Sequence, residues 1–229
     1  MTANSLLVTG TDTEVGKTVL TAALAAYWQR YQVAANLGLM KLVQAGTGDR
    51  EFYQRHFQLA QDPATLAPLV FDTPVAPPVA AQQEGRTIDL APVWQALQTL
   101  RQTKQFVLVE ALGGLGSPVT AELTVADVAR DWHLPVVLVV PVQLGAIAQT
   151  VANVALARQC QLDLRGVVLN CLRPVTAAQP ADWTPPALLE SLTQVPVLGC
   201  LPYLENPADL TKLAQVAANL DLERLLPTP

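Results

Sequence analysis

The segment that decides the fold is GTDTEVGKT at residues 10–18. It follows a short apolar run at residues 5–9, which predicts a strand, and it leads into an amphipathic run at residues 18–30, which predicts a helix. A loop in that position offers its backbone N–H groups and a helix N-terminus to phosphate oxygens. Lys17 would then reach the β- and γ-phosphates, and the Thr18 hydroxyl would ligate Mg²⁺.

One position of this loop departs from the usual GxxxxGK[ST] spacing. Thr11 stands where the first glycine is expected, and Gly10 lies one residue earlier. A simple strand-to-helix turn with a surface lysine is the alternative interpretation. The order of strand, glycine-bearing loop, Lys-Thr pair and helix favours a variant phosphate-binding loop over that alternative.

Apolar runs and helical patterns alternate along the rest of the chain. The patterns predict strands at 37–42, 106–110, 135–140, 167–170 and 195–199. They predict helices at 49–59, at 90–102, from a turn near Gly145 to about Gln159, and one or two short helices within 209–225. Two Pro-rich loops are expected at 63–78 and 176–186. The alternation predicts one α/β domain over residues 1–229, with a mostly parallel sheet and helices on both faces as in P-loop NTPases.

Composition narrows the class of protein. The 229 residues are 14% charged and 51% hydrophobic, which excludes an intrinsically disordered chain. The net charge of −5 and the 14 scattered basic residues exclude a binder of duplex nucleic acid, which needs clustered Lys and Arg. The three cysteines form no CxxC pair, so neither a disulfide framework nor a zinc site is expected. We expect a cytoplasmic protein, because the N-terminus has no basic region of the signal-peptide type.

One long uncharged stretch raises the question of a membrane span. Between Trp132 and Arg158 the chain has no formal charge, and that length suits a transmembrane helix. Pro135 and Pro141 would break such a helix, however. A buried strand followed by a separate helix is the better interpretation, so no membrane partner is expected.

Polar side chains stand at or just after the ends of several predicted strands: Lys41, Asp49, Glu110 and Asn170. Ligands of open parallel sheets bind at the carboxyl ends of the strands. Glu110 holds the place of a Walker-B acid, and a second lysine beside a phosphate loop would stabilise charge during phosphoryl transfer. Since Mg²⁺ takes one or two carboxylates with phosphates and waters, Asp49 and Glu110 are candidate metal ligands together with Thr18.

Each of these assignments has a plainer alternative. A helix N-cap explains Asp49 as well as a metal ligand does. A solvated strand end is the alternative for Glu110, and an ordinary surface lysine is the alternative for Lys41. Asn170 would read a nucleobase edge through its amide. Because the NKxD signature of GTPases is absent at residues 170–173, adenine is favoured over guanine.

The segment at 10–18 resembles the signature of the dethiobiotin synthetase family. Further segments resemble motifs of that family in the same order along nearly the whole chain. These are KLVQAG at 41–46, Asp49, EGR at 84–86, VEALGG at 109–114, LGAI at 144–147, Asn170 and LPYL at 201–204.

The resemblance implies a homodimer that uses ATP and Mg²⁺ to close a ureido ring on 7,8-diaminononanoate with CO₂. One amine captures CO₂ as a carbamate, ATP phosphorylates the carbamate, and the second amine displaces phosphate. Lys17 and Lys41 would be catalytic, and Thr18, Asp49 and Glu110 would hold the metal. The implied substrate residues are Ala45, Gly145, Ala146 and Ile147. The implied nucleotide residues are Glu14, Val15, Gly16, Lys17, Thr18, Val19, Asp49, Glu110, Ala111, Leu112, Gly113, Asn170, Cys171, Pro202, Tyr203 and Leu204.

Four departures from the family motifs concern mainly the substrate half of the site. Ala45 replaces a Ser or Thr, Leu112 adds bulk within the VEGAGG motif, Ala148 replaces an Asn, and Leu42 replaces a Pro. These changes leave the interpretation of the chain as an ATP- and Mg²⁺-dependent enzyme intact.

Three other functions are alternatives to this one. Chromosome-partition or division-site ATPases typically carry a second lysine near the start of the phosphate loop, and residues 10–16 contain none. Carboxylate-amidating enzymes of cobalamin synthesis usually append a glutaminase domain, for which 229 residues leave no room. A binding module that has lost catalysis would explain Ala45, Leu112 and Ala148, but the retained Lys17, Lys41 and Glu110 argue against it.

Overall fold

A computed structural model describes residues 4–176 and 178–227, and its centre is a six-stranded parallel sheet. The strands of this sheet are β1 (Ser5–Gly10), β2 (Leu37–Lys41), β5 (Phe106–Gly114), β6 (Val136–Pro141), β7 (Leu164–Asn170) and β8 (Val197–Leu201). Their order is β2-β5-β1-β6-β7-β8. Two short strands, β3 (Gln44–Ala45) and β4 (Val70–Phe71), pair in parallel beside it.

Helices cover both faces of the sheet, because alternate side chains of its buried strands enter different cores. From β1, Leu6 and Val8 join one apolar cluster, whereas Leu7 joins another. The helices are α1 (Lys17–Tyr31), α2 (Asp49–His56), α3 (Pro77–Gln83), α4 (Ala91–Thr103), α5 (Val125–Asp131), α6 (Ala146–Gln159), α7 (Gln179–Trp183), α8 (Pro186–Thr193), α9 (Leu210–Ala217) and α10 (Leu222–Leu225). Helices α1 and α9 pack on the face of Leu6 and Val8, and helices α4 and α5 pack on the face of Leu7.

The predicted mostly parallel sheet with helices on both faces is confirmed, and the differences lie at element ends and in the loops. Strand β5 runs four residues beyond Glu110, because it continues beside β1 as far as the Gly10–Gly114 pair. A β-carbon on Gly114 would lie 2.9 Å from the carbonyl oxygen of Gly10, so glycine permits this approach. The helix predicted at 49–59 is shorter, since it ends at His56.

The two Pro-rich stretches contain more regular structure than a loop. The stretch at 63–78 includes a 3₁₀ turn (Pro63–Thr65) and β4, and Pro77 begins α3. The stretch at 176–186 includes α7, and Pro186 begins α8. Proline is favoured in the first turn of a helix, where its missing N–H has no partner to lose, so these prolines start helices rather than exclude them.

The uncharged stretch between Trp132 and Arg158 forms β6 and α6, as expected. Within the described ranges, none of the helices has both the length and the apolar character that a bilayer crossing requires.

Candidate active site

The loop at residues 11–16 connects β1, in the middle of the sheet, to α1. Gly16 caps the N-terminus of α1 with φ 95°, a left-handed conformation that favours glycine. A β-carbon on Gly16 would lie 1.9 Å from Nδ2 of Asn170. That Asn170 nitrogen donates a hydrogen bond of 2.9 Å to the carbonyl oxygen of Val15. The buried Asn170 side chain at the end of β7 therefore packs against the phosphate loop and holds its backbone through a hydrogen bond.

This contact gives Asn170 a role that its sequence position did not indicate. Its reading of a nucleobase edge stays a prediction, but one of its amide donors is committed to the loop. Cys171 follows it, and the backbone N–H of Cys171 donates to the carbonyl of Leu201 at 2.9 Å. Residues 202–204 follow Leu201, so the implied nucleobase residues share the carboxyl end of β7 and β8.

We expect Asn170→Ala to weaken ADP binding by about tenfold, because the buried Val15 carbonyl would lose its partner, at a cost of about 1–3 kcal/mol. The loop would then order itself only on binding nucleotide. Isothermal titration calorimetry with ADP measures the effect. Asn219→Ala, an exposed asparagine after α9, is the matched control and should bind as the unmodified chain does. Equal affinities for the two variants would show that the contact is not used.

Lys17 lies folded over the loop. Its Nζ donates to the carbonyl oxygen of Asp12 at 2.9 Å, and the residue is buried. Burial and the nearby charge of Lys41 lower its pKa to about 8. A phosphate group bound in the loop would favour the charged ammonium and raise that pKa again.

Nucleotide binding is therefore expected to take up a proton at alkaline pH. Below pH 8 the free protein already holds Lys17 protonated, whereas above it the lysine must gain a proton when a phosphate arrives. ADP affinity, measured without Mg²⁺, should fall as the pH rises above about 8. Calorimetry in buffers of different ionisation enthalpy counts the proton. The Lys17→Ala variant should show neither the uptake nor the decline.

Four side chains meet beside the loop: Thr18, Lys41, Asp49 and Glu110. Lys41 Nζ donates to Oε1 of Glu110 at 2.8 Å and to Oδ2 of Asp49. Thr18 Oγ1 lies 3.0 Å from Oδ1 of Asp49 and 3.0 Å from Oε1 of Glu110. The sequence predicted a shared sheet edge for these residues, and the structure brings them into direct contact.

The sheet register explains this meeting. Lys41, the last residue of β2, is paired directly with Glu110 of the neighbouring β5. Lys41 is 4% exposed and Glu110 is 1% exposed, so neither is a solvated surface group. Burial disfavours the charge of Lys41, but the charges of Glu110 and Asp49 outweigh it and raise the Lys41 pKa. Burial likewise opposes ionisation of Asp49. The charge and hydrogen bond of Lys41 outweigh this effect and lower the Asp49 pKa.

The alternative role of Asp49 as a helix N-cap is wrong. Gly48 is the N-cap of α2, and Glu51 accepts its backbone N–H at 2.7 Å. Gln44 fastens the same segment, since its Nε2 donates to Glu51 and its Oε1 accepts the backbone N–H of Arg50 at 2.8 Å. The Asp49 carboxylate is thereby left free of the helix and turned towards Lys41 and Thr18.

The chemistry of the donor set fits Mg²⁺. Thr18, Asp49 and Glu110 offer hard oxygen atoms at close quarters, and Mg²⁺ prefers one or two carboxylates completed by phosphate oxygens and waters. Throughout residues 4–176 and 178–227 there is no cluster of three or more His, Cys, Asp or Glu side chains of the kind that holds a metal without help from a substrate. A metal at this site would thus depend on the nucleotide for part of its coordination.

A cleft of about 770 Å³ opens over this cluster. Its walls combine the phosphate loop with residues from β3, β5 and the Pro-rich stretch. The lining residues are Thr13, Glu14, Gly16, Lys17, Thr18, Val19, Lys41, Val43, Gln44, Ala45, Thr47, Asp49, Pro74, Val75, Ala76, Glu110, Leu112, Gly113, Ser117, Pro118 and Leu172. Ala45 and Leu112, two departures from the family motifs, therefore face the same space as the two lysines.

Several implied site residues do not line this cleft. Val15 and Ala111 are buried beneath it and contribute backbone: the Val15 carbonyl receives Asn170, and the Ala111 carbonyl lies 3.3 Å from Lys41 Nζ. Residues 145–147 begin α6 away from the described lining, next to Leu144, whose side chain is 77% exposed.

Sequence reasoning missed residues that the fold brings to the site. Thr47, Ser117 and residues 74–76 line the cleft, and the last group was signalled only by an unusually long Pro-rich stretch. Tyr53 was missed altogether. Its phenol donates to Oε2 of Glu110 from a fully buried position. Burial, and then the charge of Glu110, raise the Tyr53 pKa well above its usual value, so the phenol keeps its proton.

Comparison with solved structures identifies the fold. The chain is similar to MinD in the MinC:MinD cell division protein complex of Aquifex aeolicus, with a TM-score of 0.62, 13% identity and 99% of each chain covered. It is also similar to a ParA family ATPase of Chlorobium tepidum, with a TM-score of 0.54, 11% identity and coverage of 99% of this chain and 93% of the other. At such identities the likeness shows a shared fold and nothing further.

Comparison with known sequences identifies the family. An AAA domain family model matches residues 4–210. The ATP-dependent dethiobiotin synthetase BioD of Gloeothece citriformis is 61% identical over 223 residues, covering 97% of this chain and 99% of that protein. Its counterpart from Synechocystis is 55% identical over 223 residues, covering 96% and 94%. By these matches, the chain belongs to the ATP-dependent dethiobiotin synthetase family.

Proposed function

We propose that this protein is an ATP-dependent dethiobiotin synthetase acting as one P-loop domain over residues 1–229. It would close the ureido ring of dethiobiotin from 7,8-diaminononanoate and CO₂, with ATP converted to ADP and phosphate. The observation that carries the proposal is the union of the phosphate loop with Lys41, Asp49 and Glu110 at one end of the sheet. That arrangement suits phosphoryl transfer, in which positioning and charge stabilisation supply most of the catalysis.

The chemical difficulty is that a carbamate oxygen leaves poorly, and phosphorylation solves it. An oxygen of the carbamate attacks the γ-phosphorus, and ADP departs. The second amine then attacks the carbamoyl carbon, phosphate departs with the carbamate oxygen, and the amine loses a proton. Lys17, at the end of the loop, would stabilise negative charge on the transferring phosphoryl group. Lys41 would stabilise the carbamate or the transferring group from its place beside Glu110 and Asp49.

Mg²⁺, when bound with the nucleotide, would neutralise phosphate charge and polarise the γ-phosphoryl group. Thr18, Asp49 and Glu110 are the residues proposed to hold it. Their meeting beside the loop, with Thr18 Oγ1 at 3.0 Å from an oxygen of each carboxylate, supports this assignment.

The nucleotide would lie along the carboxyl ends of the strands. Its phosphates would contact residues 14–19, where backbone N–H groups of the loop and of α1 are concentrated, and residues 110–113 at the end of β5. Its adenine would lie towards Asn170, Cys171, Pro202, Tyr203 and Leu204. The exposed ring of Tyr203 is consistent with a surface that covers the base.

The diamine is proposed to lie in the cleft beside Ala45 and Leu112. Thr47 offers a hydroxyl two residues after Ala45, in the same lining. Residues 145–147 begin a 14-residue helix whose N-terminal N–H groups suit a carboxylate. Because these residues lie outside the lining of their own cleft, we propose that they act on the cleft of the other copy in a homodimer. The protein would work in the cytoplasm and bind neither nucleic acid nor membrane.

Oxygen transfer tests the proposed route. With freshly added ¹⁸O-bicarbonate, assayed before exchange with water, each dethiobiotin formed should be matched by one phosphate carrying one ¹⁸O atom. Mass spectrometry of phosphate and of dethiobiotin gives both counts. Dethiobiotin formed with unlabelled phosphate would contradict the anhydride route, and the absence of dethiobiotin would contradict the function.

A further inference from the structure

Tyr53 reaches the cluster of Thr18, Lys41, Asp49 and Glu110 from within the core. It lies in α2, four residues after Asp49, so both side chains project from the same side of the helix. The Asp49 carboxylate contacts Lys41 and Thr18, whereas the Tyr53 phenol, 1% exposed, donates to Oε2 of Glu110. One turn of helix thus supplies a candidate ligand and a hydrogen bond to a second candidate ligand.

The two oxygens of Glu110 have different partners. Oε1 receives Lys41 at 2.8 Å and Thr18 at 3.0 Å, on the side of the cleft. Oε2 receives Tyr53 on the side of the core. Because the carboxylate is buried and bonded on both sides, it cannot rotate without breaking one set of hydrogen bonds. Tyr53 consequently keeps Oε1 towards the phosphate loop and occupies the oxygen that would otherwise compete for a cation.

Packing alone does not account for a tyrosine here. The ring contacts Phe52 and Phe57, with centroid distances of 5.7 and 6.0 Å, in an aromatic cluster that a phenylalanine would complete equally well. A buried hydroxyl costs free energy unless it is bonded, so its place against Glu110 is the feature to be explained.

We propose that Tyr53 is a positioning residue that holds Glu110 as a one-oxygen ligand for the divalent cation of the bound nucleotide. The inference rests on the proposed ATP- and Mg²⁺-dependent function. Outer hydrogen-bond partners of metal ligands typically contribute 10–100-fold to metal affinity, because they fix the orientation of the ligating atom.

The test is the affinity for Mn²⁺, a paramagnetic substitute for Mg²⁺, in the presence of saturating ADP. Electron paramagnetic resonance measures the free Mn²⁺. Tyr53→Phe should weaken Mn²⁺ binding by about tenfold or more, and it should raise the Mg²⁺ concentration for half-maximal activity by a similar factor. The KM for ATP at saturating Mg²⁺ should stay within about twofold, which separates a metal effect from general damage to the site. Tyr31→Phe, on an exposed tyrosine of α1, is the matched control.

A double-mutant cycle separates positioning from packing. In a Glu110→Gln background, Tyr53→Phe should change Mn²⁺ affinity by less than about twofold, because the carboxylate that it orients is gone. Unchanged Mn²⁺ affinity in Tyr53→Phe, or the same loss in both backgrounds, would overturn the proposal. Tyr53→Met repeats the test should the Phe variant not fold. Since Mn²⁺·ADP binding requires neither diamine nor CO₂, a failure to make dethiobiotin would be seen separately.

Discussion

Replacing Lys17 with alanine is expected to lower kcat by about a thousandfold or more, since it removes the cation that we propose stabilises the transferring phosphoryl group. Lys17 Nζ is held over the loop by the Asp12 carbonyl, directly before the first turn of α1. The other lysine that lines the cleft, Lys41, is bound to two carboxylates and cannot take its place. Steady-state and single-turnover rates of ADP formation with the diamine measure the loss.

The thermal stability of Lys17→Ala, unlike its turnover, should not fall. Burial and Lys41 lower the pKa of Lys17, so its charge is disfavoured in the folded protein without ligand. For a base whose pKa is lowered on folding, the unfolded chain binds more protons between about pH 8 and pH 10.5, and stability rises with pH across that window. Removing Lys17 should therefore leave Tm unchanged or raised at pH 7.

Lys212→Ala, on the surface of α9, is the control for both measurements. Turnover like that of the unmodified chain in Lys17→Ala would remove its catalytic role.

Replacing Lys41 with alanine is expected to cost both activity and stability. Turnover should fall by orders of magnitude, because the charge that we propose stabilises the carbamate or the transferring phosphoryl group is lost. The substitution also removes the cation that Asp49 and Glu110 share. Breaking a buried ion pair from one side typically costs about 3–5 kcal/mol, because the remaining charge stays buried. Urea unfolding at pH 7 without divalent cations should show a loss of that size.

Mg²⁺ and ADP should have a larger effect on the stability of Lys41→Ala than on that of the unmodified chain. A divalent cation bound with ADP would compensate Asp49 and Glu110, so Mg²⁺ and ADP should stabilise Lys41→Ala by more than they stabilise the unmodified chain. Lys41→Met keeps much of the side-chain volume, so it separates the effect of charge from that of packing. It should show the same loss of stability and the same added stabilisation by Mg²⁺ and ADP as Lys41→Ala. Undiminished stability in both variants would mean that Lys41 does not neutralise this pair.

The contrast between the two lysines shows what the sequence could and could not predict. Lys17 and Thr18 were predicted from the phosphate-loop motif. Lys41, Asp49 and Glu110 were predicted because they stand at or just after strand ends, which meet at one edge of a parallel sheet. That Lys41 is clamped between carboxylates depends on its pairing with Glu110, whereas Lys17 bonds only to backbone. Strand register between distant segments leaves no mark in an apolar run.

Other site features depended on tertiary contacts with equally weak sequence signals. Tyr53 reads as a core aromatic at helical spacing, and only the approach of β5 turns its phenol into a partner of Glu110. Asn170 reads as a strand end facing a ligand, yet its amide faces the loop. The short pair β3 and β4, at two residues each, lies below the length at which periodicity predicts a strand.

The substrate half of the site was predicted from motif resemblance rather than from chemistry. Ala45 and Leu112 line the cleft, and their side chains offer no hydrogen bond to a diamine. Polar groups of the same lining include Gln44, Thr47, Ser117 and the two lysines. A direct assay of turnover with the diamine therefore tests this half of the site.

That assay is the ATP-dependent fixation of labelled bicarbonate into an acid-stable product, with and without 7,8-diaminononanoate. We expect label to be fixed only with the diamine, with one ADP released for each label fixed. ATP binding or slow hydrolysis that does not depend on the diamine, with no label fixed, would contradict it and would leave a nucleotide site that serves another reaction.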